Sequence, residues 1–300
     1  MEEYTSDILT SFSYDTKEID LNDLRIYGEL DLSEFTKLNK LICSNNQITK
    51  ITGLSESIES IDCSNNLLNE FTIHVYMTHF DYSKNPIKTL TVLENLLPPI
   101  PNSIMCLFFG DKFNLHVENL PFGLKYLSFS RDFNQPVDNL QGSDYKFHSI
   151  SNLTFNYWSN FNHPIDNLPS TINELYLSFN FNQPLNNLPN SLIHLEFSQK
   201  SMFNQILDNL PNSLSKLVFN TDSVISFNQK LDNLPNSITH LTIGRGYKFP
   251  LDNLPSGLRY LQISSDYEIK VESLPPSIKR IRVFRAEQRK LFPEEYHKFF

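Results

Sequence analysis

Apolar positions along this chain fall into a triplet, two anchors three residues apart and a third two residues further on. The triplet recurs as Leu38/Leu41/Cys43, Ile58/Ile61/Cys63, Met77/Phe80/Tyr82, Ile104/Leu107/Phe109, Leu124/Leu127/Phe129 and Ile150/Leu153/Phe155. It continues as Ile172/Leu175/Leu177, Leu192/Leu195/Phe197, Leu214/Leu217/Phe219, Ile238/Leu241/Ile243, Leu258/Leu261/Ile263 and Ile278/Ile281/Val283, twelve rungs in all, with a weaker one at Ile19/Leu21. The second and third anchors share parity, so both point to one side of a short strand while the residue between them points to the other. No single repeat buries its apolar side, whereas parallel stacking at about 4.8 Å per rung makes a continuous core about 55 Å long.

From Ile104 on, successive first anchors are 20, 26, 22, 20, 22, 24, 20 and 20 residues apart. Dividing each repeat at its next aromatic (Phe113, Phe133, Phe161, Phe181, Phe203, Phe227, Tyr247, Tyr267) removes the irregularity. From aromatic to next anchor is 11 residues, except 17 where QGSDYKFHS intervenes; from third anchor to aromatic is 4, 4, 6, 4, 6, 8, 4 and 4. Every value in the second series is even, and even steps of extended backbone keep a side chain on one face. A second core column of aromatic rings, opposite the strands, is therefore predicted. The 11-residue arc, FNQPLxNLPxS, carries prolines such as Pro184 and Pro189, which exclude α-helix there and leave extended, polyproline-like or 3-10 backbone. Leu185 and Leu188 add inward anchors, and the asparagines, among them Asn182 and Asn187, suit capping of main-chain groups at the corners.

Scarce glycine (8), abundant phenylalanine (24) and a single alanine, Ala286, argue against stacked helices. A net charge of −9 disfavours nucleic acid or an anionic membrane as main partner. No apolar run reaches the roughly 18 residues of a membrane span, and MEEYTSDILTSF lacks a secretory signal, so an intracellular chain is expected. Cys43 and Cys63 sit at core anchors with no activating partner in view. His194 and His240 lie two rungs apart, too far for one metal ion, and Asp62 and Asp81 lack a third ligand. No phosphate-binding glycine loop is present, and neither an enzyme, a metal site nor a cofactor is expected.

FNQPLNNLP, FNQILDNLP, FNQKLDNLP and FNQPVDNL resemble FNIP repeats, a variety of leucine-rich repeat found in amoebae and in large DNA viruses that infect them. LNKLICSNNQI and IESIDCSNNLL resemble ordinary leucine-rich repeats, which puts Asn46, Asn66 and Asn85 at that family's asparagine-ladder position. The resemblance implies a right-handed solenoid of the leucine-rich-repeat horseshoe class, mostly β, with a parallel strand stack on one side, extended or short 3-10 segments on the other and little α-helix. It also implies a protein-binding scaffold, here in a host cytoplasm. Some viral relatives carry an F-box and are thought to recruit targets to a ubiquitin ligase; residues 1–37 contain no LPxE-like segment.

The expected organisation is one continuous solenoid domain: an N-terminal cap with a possible first rung over 1–37, ordinary repeats over 38–103, FNIP-type repeats over 104–283 and an amphipathic capping helix over 284–300. That helix is read from Phe292, Tyr296, Phe299 and Phe300, with Pro293 and two Glu at its start. Two solvent-facing columns follow from the strand register. One runs Tyr126, Asn152, Glu174, His194, Lys216, His240, Tyr260, Arg280; the other Ser128, Thr154, Tyr176, Glu196, Val218, Thr242, Gln262, Arg282. A face mixing Tyr, His and both charges suits a protein partner, and a merely solvated face is the alternative. Corner loops NYWSN (156–160), SQKSM (198–202) and NTDSVIS (220–226) vary on the constant scaffold; Trp158, the only tryptophan, is a recognition residue or a lid over the core edge. IKRIRVFRAEQRK (278–290), with six positive charges against one negative, is either a solvated last rung or a contact for an anionic partner. A monomer is expected.

Overall fold

The computed structural model describes residues 8–73, 77–93, 100, 102–118, 120–141, 149–219 and 227–300. The chain divides into two compact units, Met1–Gly110 and Asp111–Phe300.

The described strands of the first unit are β1 (Glu18–Asp20), β2 (Tyr27–Asp31), β3 (Lys40–Ile42), β4 (Gln47–Thr52), β5 (Ser60–Asp62), β6 (Glu70–Ile73), β7 (His79–Asp81), β8 (Thr89–Val92) and β9 (Cys106–Phe109). β1, β3, β5 and β7 form one parallel ladder with Ile19, Leu41, Ile61 and Phe80 in register, so the weak candidate at Ile19 is a genuine rung. Each turn carries a further strand. β2 pairs with β4 and β6 with β8, both in parallel, through segments such as EFTI and TLTV that alternate β-branched or aromatic residues with polar ones.

One expectation is corrected here. The Leu107 rung does not stack on the Phe80 rung; β9 pairs with β8, Leu107 lying opposite Leu90 and Phe109 opposite Val92. Chain length explains the switch. In the β1–β7 ladder equivalent residues are 22, 20 and 19 apart, whereas Phe80 to Leu107 is 27 residues and Leu90 to Leu107 is 17. The latter fits one turn and the former overshoots it.

The corners of the first unit are held by asparagines at the positions the resemblance implied, Asn46 and Asn66 buried and Asn85 half-buried. Asn66 Oδ1 accepts from Ile48 N–H at 2.9 Å, and its amide donates to Cys43 O (2.9 Å) and Cys63 O (3.1 Å). Asn46 repeats the pattern with Ile26 N–H, Leu21 O and Cys43 O, and Asn85 with Leu68 N–H, Cys63 O and Tyr82 O. The residue before each (Asn45, Asn65, Lys84) has φ of 54–57°, the left-handed corner that asparagine tolerates better than lysine.

In the second unit β10 (Tyr126–Phe129), β11 (Asn152–Phe155), β12 (Glu174–Leu177), β13 (His194–Phe197), β14 (Lys216–Phe219), β15 (His240–Ile243), β16 (Tyr260–Ile263) and β17 (Arg280–Arg282) stack in parallel in chain order. Leu127, Leu153, Leu175, Leu195, Leu217, Leu241, Leu261 and Ile281 form their buried column. Opposite stands the predicted ring column: Phe113, Phe133, Phe161, Phe181, Phe203, Phe227, Tyr247 and Tyr267 are all buried, with successive centroids 6.0–6.3 Å apart and planes within 4–23°. Such spacing is offset stacking, in which ring edges meet neighbouring faces.

The even spacing has a different origin from uniform extension. Where the step is four, a turn reaches the ring directly, Phe181 N–H pointing to Ser178 O at 3.4 Å. Where it is six, the turn closes two residues earlier, Ser159 N–H donating to Asn156 O and Ser201 N–H to Ser198 O, and one inward serine precedes the ring by two residues. Parity thus acts only on the added pair. The segments 142–148 and 220–226 lie outside the described residues.

The FNQ triad has a structural role. Asn114, Asn134, Asn162, Asn182 and Asn204 each present Oδ1 to the backbone N–H of the equivalent asparagine one turn on, at 2.9–3.2 Å, and Asn228 presents its own to Lys248 N–H at 3.0 Å. Gln183, Gln205 and Gln229 add a donor to the preceding carbonyl. The serine that ends the arc donates to a carbonyl of the previous turn, as Ser191 does to Ile172 O and Ser237 to Leu214 O. These partners replace the backbone pairing that Pro184 and Pro189 cannot supply.

The predicted capping helix is absent. Residues 284–300 form two 3-10 segments, Ala286–Leu291 and Glu294–Phe299, separated by Pro293, whose ring and missing N–H break helical continuity. They still cover the last turn. Buried Gln288 accepts from Phe284 and Arg285 N–H and donates to Ser264 O and Tyr267 O, Tyr296 Oη bridges Leu274 N–H and O, and Phe292 is buried.

Candidate functional site

The outward residues of β10–β17 stand in the two expected columns. Strand register aligns Tyr126, Asn152, Glu174, His194, Lys216, His240, Tyr260 and Arg280, and beside them Ser128, Thr154, Tyr176, Glu196, Val218, Thr242, Gln262 and Arg282. The columns are not equally open. Tyr126, His240, Tyr260, Arg280 and Arg282 are exposed, whereas Tyr176, His194, Glu196 and Lys216 are half-buried.

Two of the half-buried members, Tyr176 and His194, share a polar network with Asn152 and Glu174. Asn152 Nδ2 donates to Glu174 Oε2 at 2.7 Å, Tyr176 Oη donates to the same oxygen at 3.1 Å, and Tyr176 Oη lies 3.3 Å from His194 Nδ1. The Tyr176 and His194 rings meet edge to face at 5.1 Å. His194 Nε2 is 3.2 Å from Glu196 Oε2 yet off the hydrogen-bonding direction. Burial, then the Glu174 charge, pushes the Tyr176 phenol up to about 12, so it stays a donor at neutral pH. Beside the network a cleft of about 340 Å³ is lined by Asn152, Thr154, Tyr157, Tyr176, Glu196 and Ser198, among others. Its wall includes Tyr157, from a corner loop, a residue that the alternation of the strands does not single out.

Trp158 does not roof the core. It is half exposed, its ring 6.2 Å from Phe179 and 5.4 Å from Lys200 Nζ, and with exposed Tyr157 and Met202 it makes an apolar corner. The far half of the face is basic: Lys216, Arg280 and Arg282 share it with His240, which stacks on Tyr260 at 4.3 Å. Burial, then Lys216 and Arg259, holds His240 below its ordinary 6.5. On acidification the unfolded chain therefore takes up this proton before the folded one, and stability falls as pH drops through 6.5 toward the folded value. Lys216→Ala is expected to move the His240 titration upward in NMR; an unchanged or lower midpoint would contradict the assigned charge repulsion.

Elsewhere, burial and then Asp62 push the Cys43 thiol up to about 12, and burial raises Cys63 well above the usual range, so both are packed, unreactive thiols. Among the described residues no three His, Cys, Asp or Glu side chains are grouped to hold a metal ion. A cleft of about 460 Å³ in the first unit borders Phe80, Tyr82 and Asn85, but the Asn85 amide there is committed to the corner ladder. No described helix is long and apolar enough to cross a membrane.

Parallel strands, buried leucine columns and asparagine ladders define a leucine-rich-repeat solenoid, mostly β. Residues 161–200, 203–246 and 227–266 match the FNIP Repeat family, so this stretch of the second unit is built of FNIP repeats. No curated protein is significantly similar to the chain. Among solved structures it is similar to CroV588, described as a circular LRR protein, at 26% identity and TM-score 0.37, over 83% of this chain and 46% of that one. It thus spans less than half of that relative. It is also similar to YopM, a leucine-rich effector of Yersinia pestis (24%, TM-score 0.45, 89% and 71%), and to InlJ of Listeria monocytogenes (12%, 0.42, 85% and 69%).

Proposed function

We propose that the chain is a non-enzymatic, intracellular scaffold, monomeric by itself, that binds a protein partner through the strand face of its second unit and the adjoining corner loop. The observation that carries this reading is the register of the two outward columns, which gathers Tyr126, Tyr176, His194, Glu196, Lys216, His240, Tyr260, Arg280 and Arg282 on one surface beside Trp158. Half-exposed aromatics and arginines with few internal partners are the residue types that dominate binding energy in protein interfaces. Tyr260, Arg280 and Arg282 lie toward one end of that face and the carboxylates of Glu174 and Glu196 nearer the other, so a partner is held in one orientation by charge as well as by shape.

Service as the recognition subunit of a ubiquitin-ligase assembly is a special case and requires a linker-binding segment. Contact with an anionic partner through Lys279, Arg280 and Arg282 is favoured by their lack of acidic partners among the described residues. Affinity capture from amoebal lysate with the intact chain, Tyr176→Ala/Tyr260→Ala and Trp158→Ala tests the main reading. A specific partner lost from both variants is expected; equal recovery by all three would reject this surface.

A further inference from the structure

We infer that the cleft beside β11–β13 receives the basic side chain of a partner polypeptide, arginine or lysine, with Glu196 as its counter-charge; this rests on the strand face being the interface. Glu196 is the one carboxylate among the described residues lining the cleft, and its side chain is 20% exposed. No lysine or arginine among the described residues pairs with it, and His194 Nε2, 3.2 Å away, makes no aligned hydrogen bond to it. A carboxylate so far withdrawn from water ordinarily has a cation or several donors. Here the surroundings are those of a cation receptor. Tyr176 and Tyr157 line the same cleft, Asn152 Oδ1 and Asn156 Oδ1 each accept one hydrogen bond, from Thr154 and from Trp158 N–H, and keep a second lone pair, and about 340 Å³ accommodates one long side chain. The exposed Tyr157, Trp158 and Met202 corner gives the apolar residues flanking that side chain a place to pack.

The probes are N-acetyl-arginine amide, N-acetyl-lysine amide and the neutral isostere N-acetyl-citrulline amide, titrated into the full chain and followed by NMR at Thr154, Tyr176 and Glu196. Saturable shifts with either cation, at least tenfold weaker with citrulline and in Glu196→Gln, are expected. Glu272→Gln removes the same charge elsewhere in the unit and should bind as the parent does. Glu196→Gln should also leave the free chain folded and raise its Tm, by about 1–3 °C, because a half-buried charge with no lysine or arginine beside it has been removed. Absence of shifts at the cleft, equal weakening by both variants, or a lowered Tm for Glu196→Gln would overturn the inference. If Glu196→Gln retains the captured partner while Tyr176→Ala/Tyr260→Ala loses it, the cation site fails and the interface stands; if no strand-face variant alters capture, the interface itself fails.

Discussion

Phe181→Ala is expected to destabilise the second unit by about 3–5 kcal/mol, the range for removing a buried aromatic ring. Phe181 is wholly buried, with Phe161 and Phe203 stacked at 6.1 and 6.2 Å on its two sides. Its loss removes two ring contacts and opens a void that neighbours on a rigid ladder fill poorly. Each turn of a solenoid contacts only the turns beside it, so the damage is local before it is global. Amide exchange should accelerate most between residues 161 and 203 and least near β17. Phe181→Leu, which refills most of the volume, should cost under about 1.5 kcal/mol. Urea unfolding with exchange mass spectrometry checks both. A Phe181→Ala cost no larger than that of exposed Ile206→Ala would remove the ring column from its place in the core.

The ring column was legible because its signal is arithmetic: an arc of 11 residues, broken once at QGSDYKFHS, and an even remainder survive insertions that blur any fixed period. The outward columns were legible for the same reason, since strand alternation with a buried leucine in the middle leaves no freedom of register. The second strand set of the first unit was not. Leu90 and Val92 lie in a short alternating segment whose pairing depends on which turn it meets, and only the 27-residue interval from Phe80 to Leu107 hinted that a strand lay between. The capping helix failed on a competition between patterns. Spacing at i, i+4, i+7 and i+8 suits a helix, but Pro293 follows Phe292 directly and Gln288 ties Phe284 and Arg285 N–H of its own segment to Ser264 O and Tyr267 O of the solenoid, so the segment wraps the end instead of lying on it as a rod. Tyr176 and Glu196 could be placed on the face from sequence, whereas the cleft around them could not. Its wall comes from Tyr157, whose direction is fixed by the turn at Asn156 rather than by strand alternation.

Asn66→Ala is expected to cost the first unit about 2–4 kcal/mol, although the side chain removed is small. Three buried backbone groups depend on it: Ile48 N–H, Cys43 O and Cys63 O, from successive turns. Ile48 N–H loses its acceptor where water has little access, whereas Cys43 O and Cys63 O each lose one of two donors and keep the Asn46 and Asn85 amides; one unsatisfied buried group costs about 1–3 kcal/mol and each lost hydrogen bond about 0.5–1.5 kcal/mol. Asn66→Asp should be no milder. It keeps an acceptor for Ile48 but turns a donor pair toward carbonyl oxygens into a buried negative charge facing them. Asn182→Ala supplies the comparison from the other ladder: Asn182 is half-buried and its Oδ1 serves Asn204 N–H and the Gln205 amide, groups that water reaches, so the loss should stay near 1 kcal/mol. The contrast separates two uses of the same residue type, one that closes a dry corner and one that trims a wet edge. Thermal and urea unfolding of the three variants against the parent measures it. If Asn66→Ala and Asn182→Ala cost the same, the first unit's corners are held by their apolar neighbours Cys43 and Cys63, and the amide ladder is a consequence of the fold and not one of its causes.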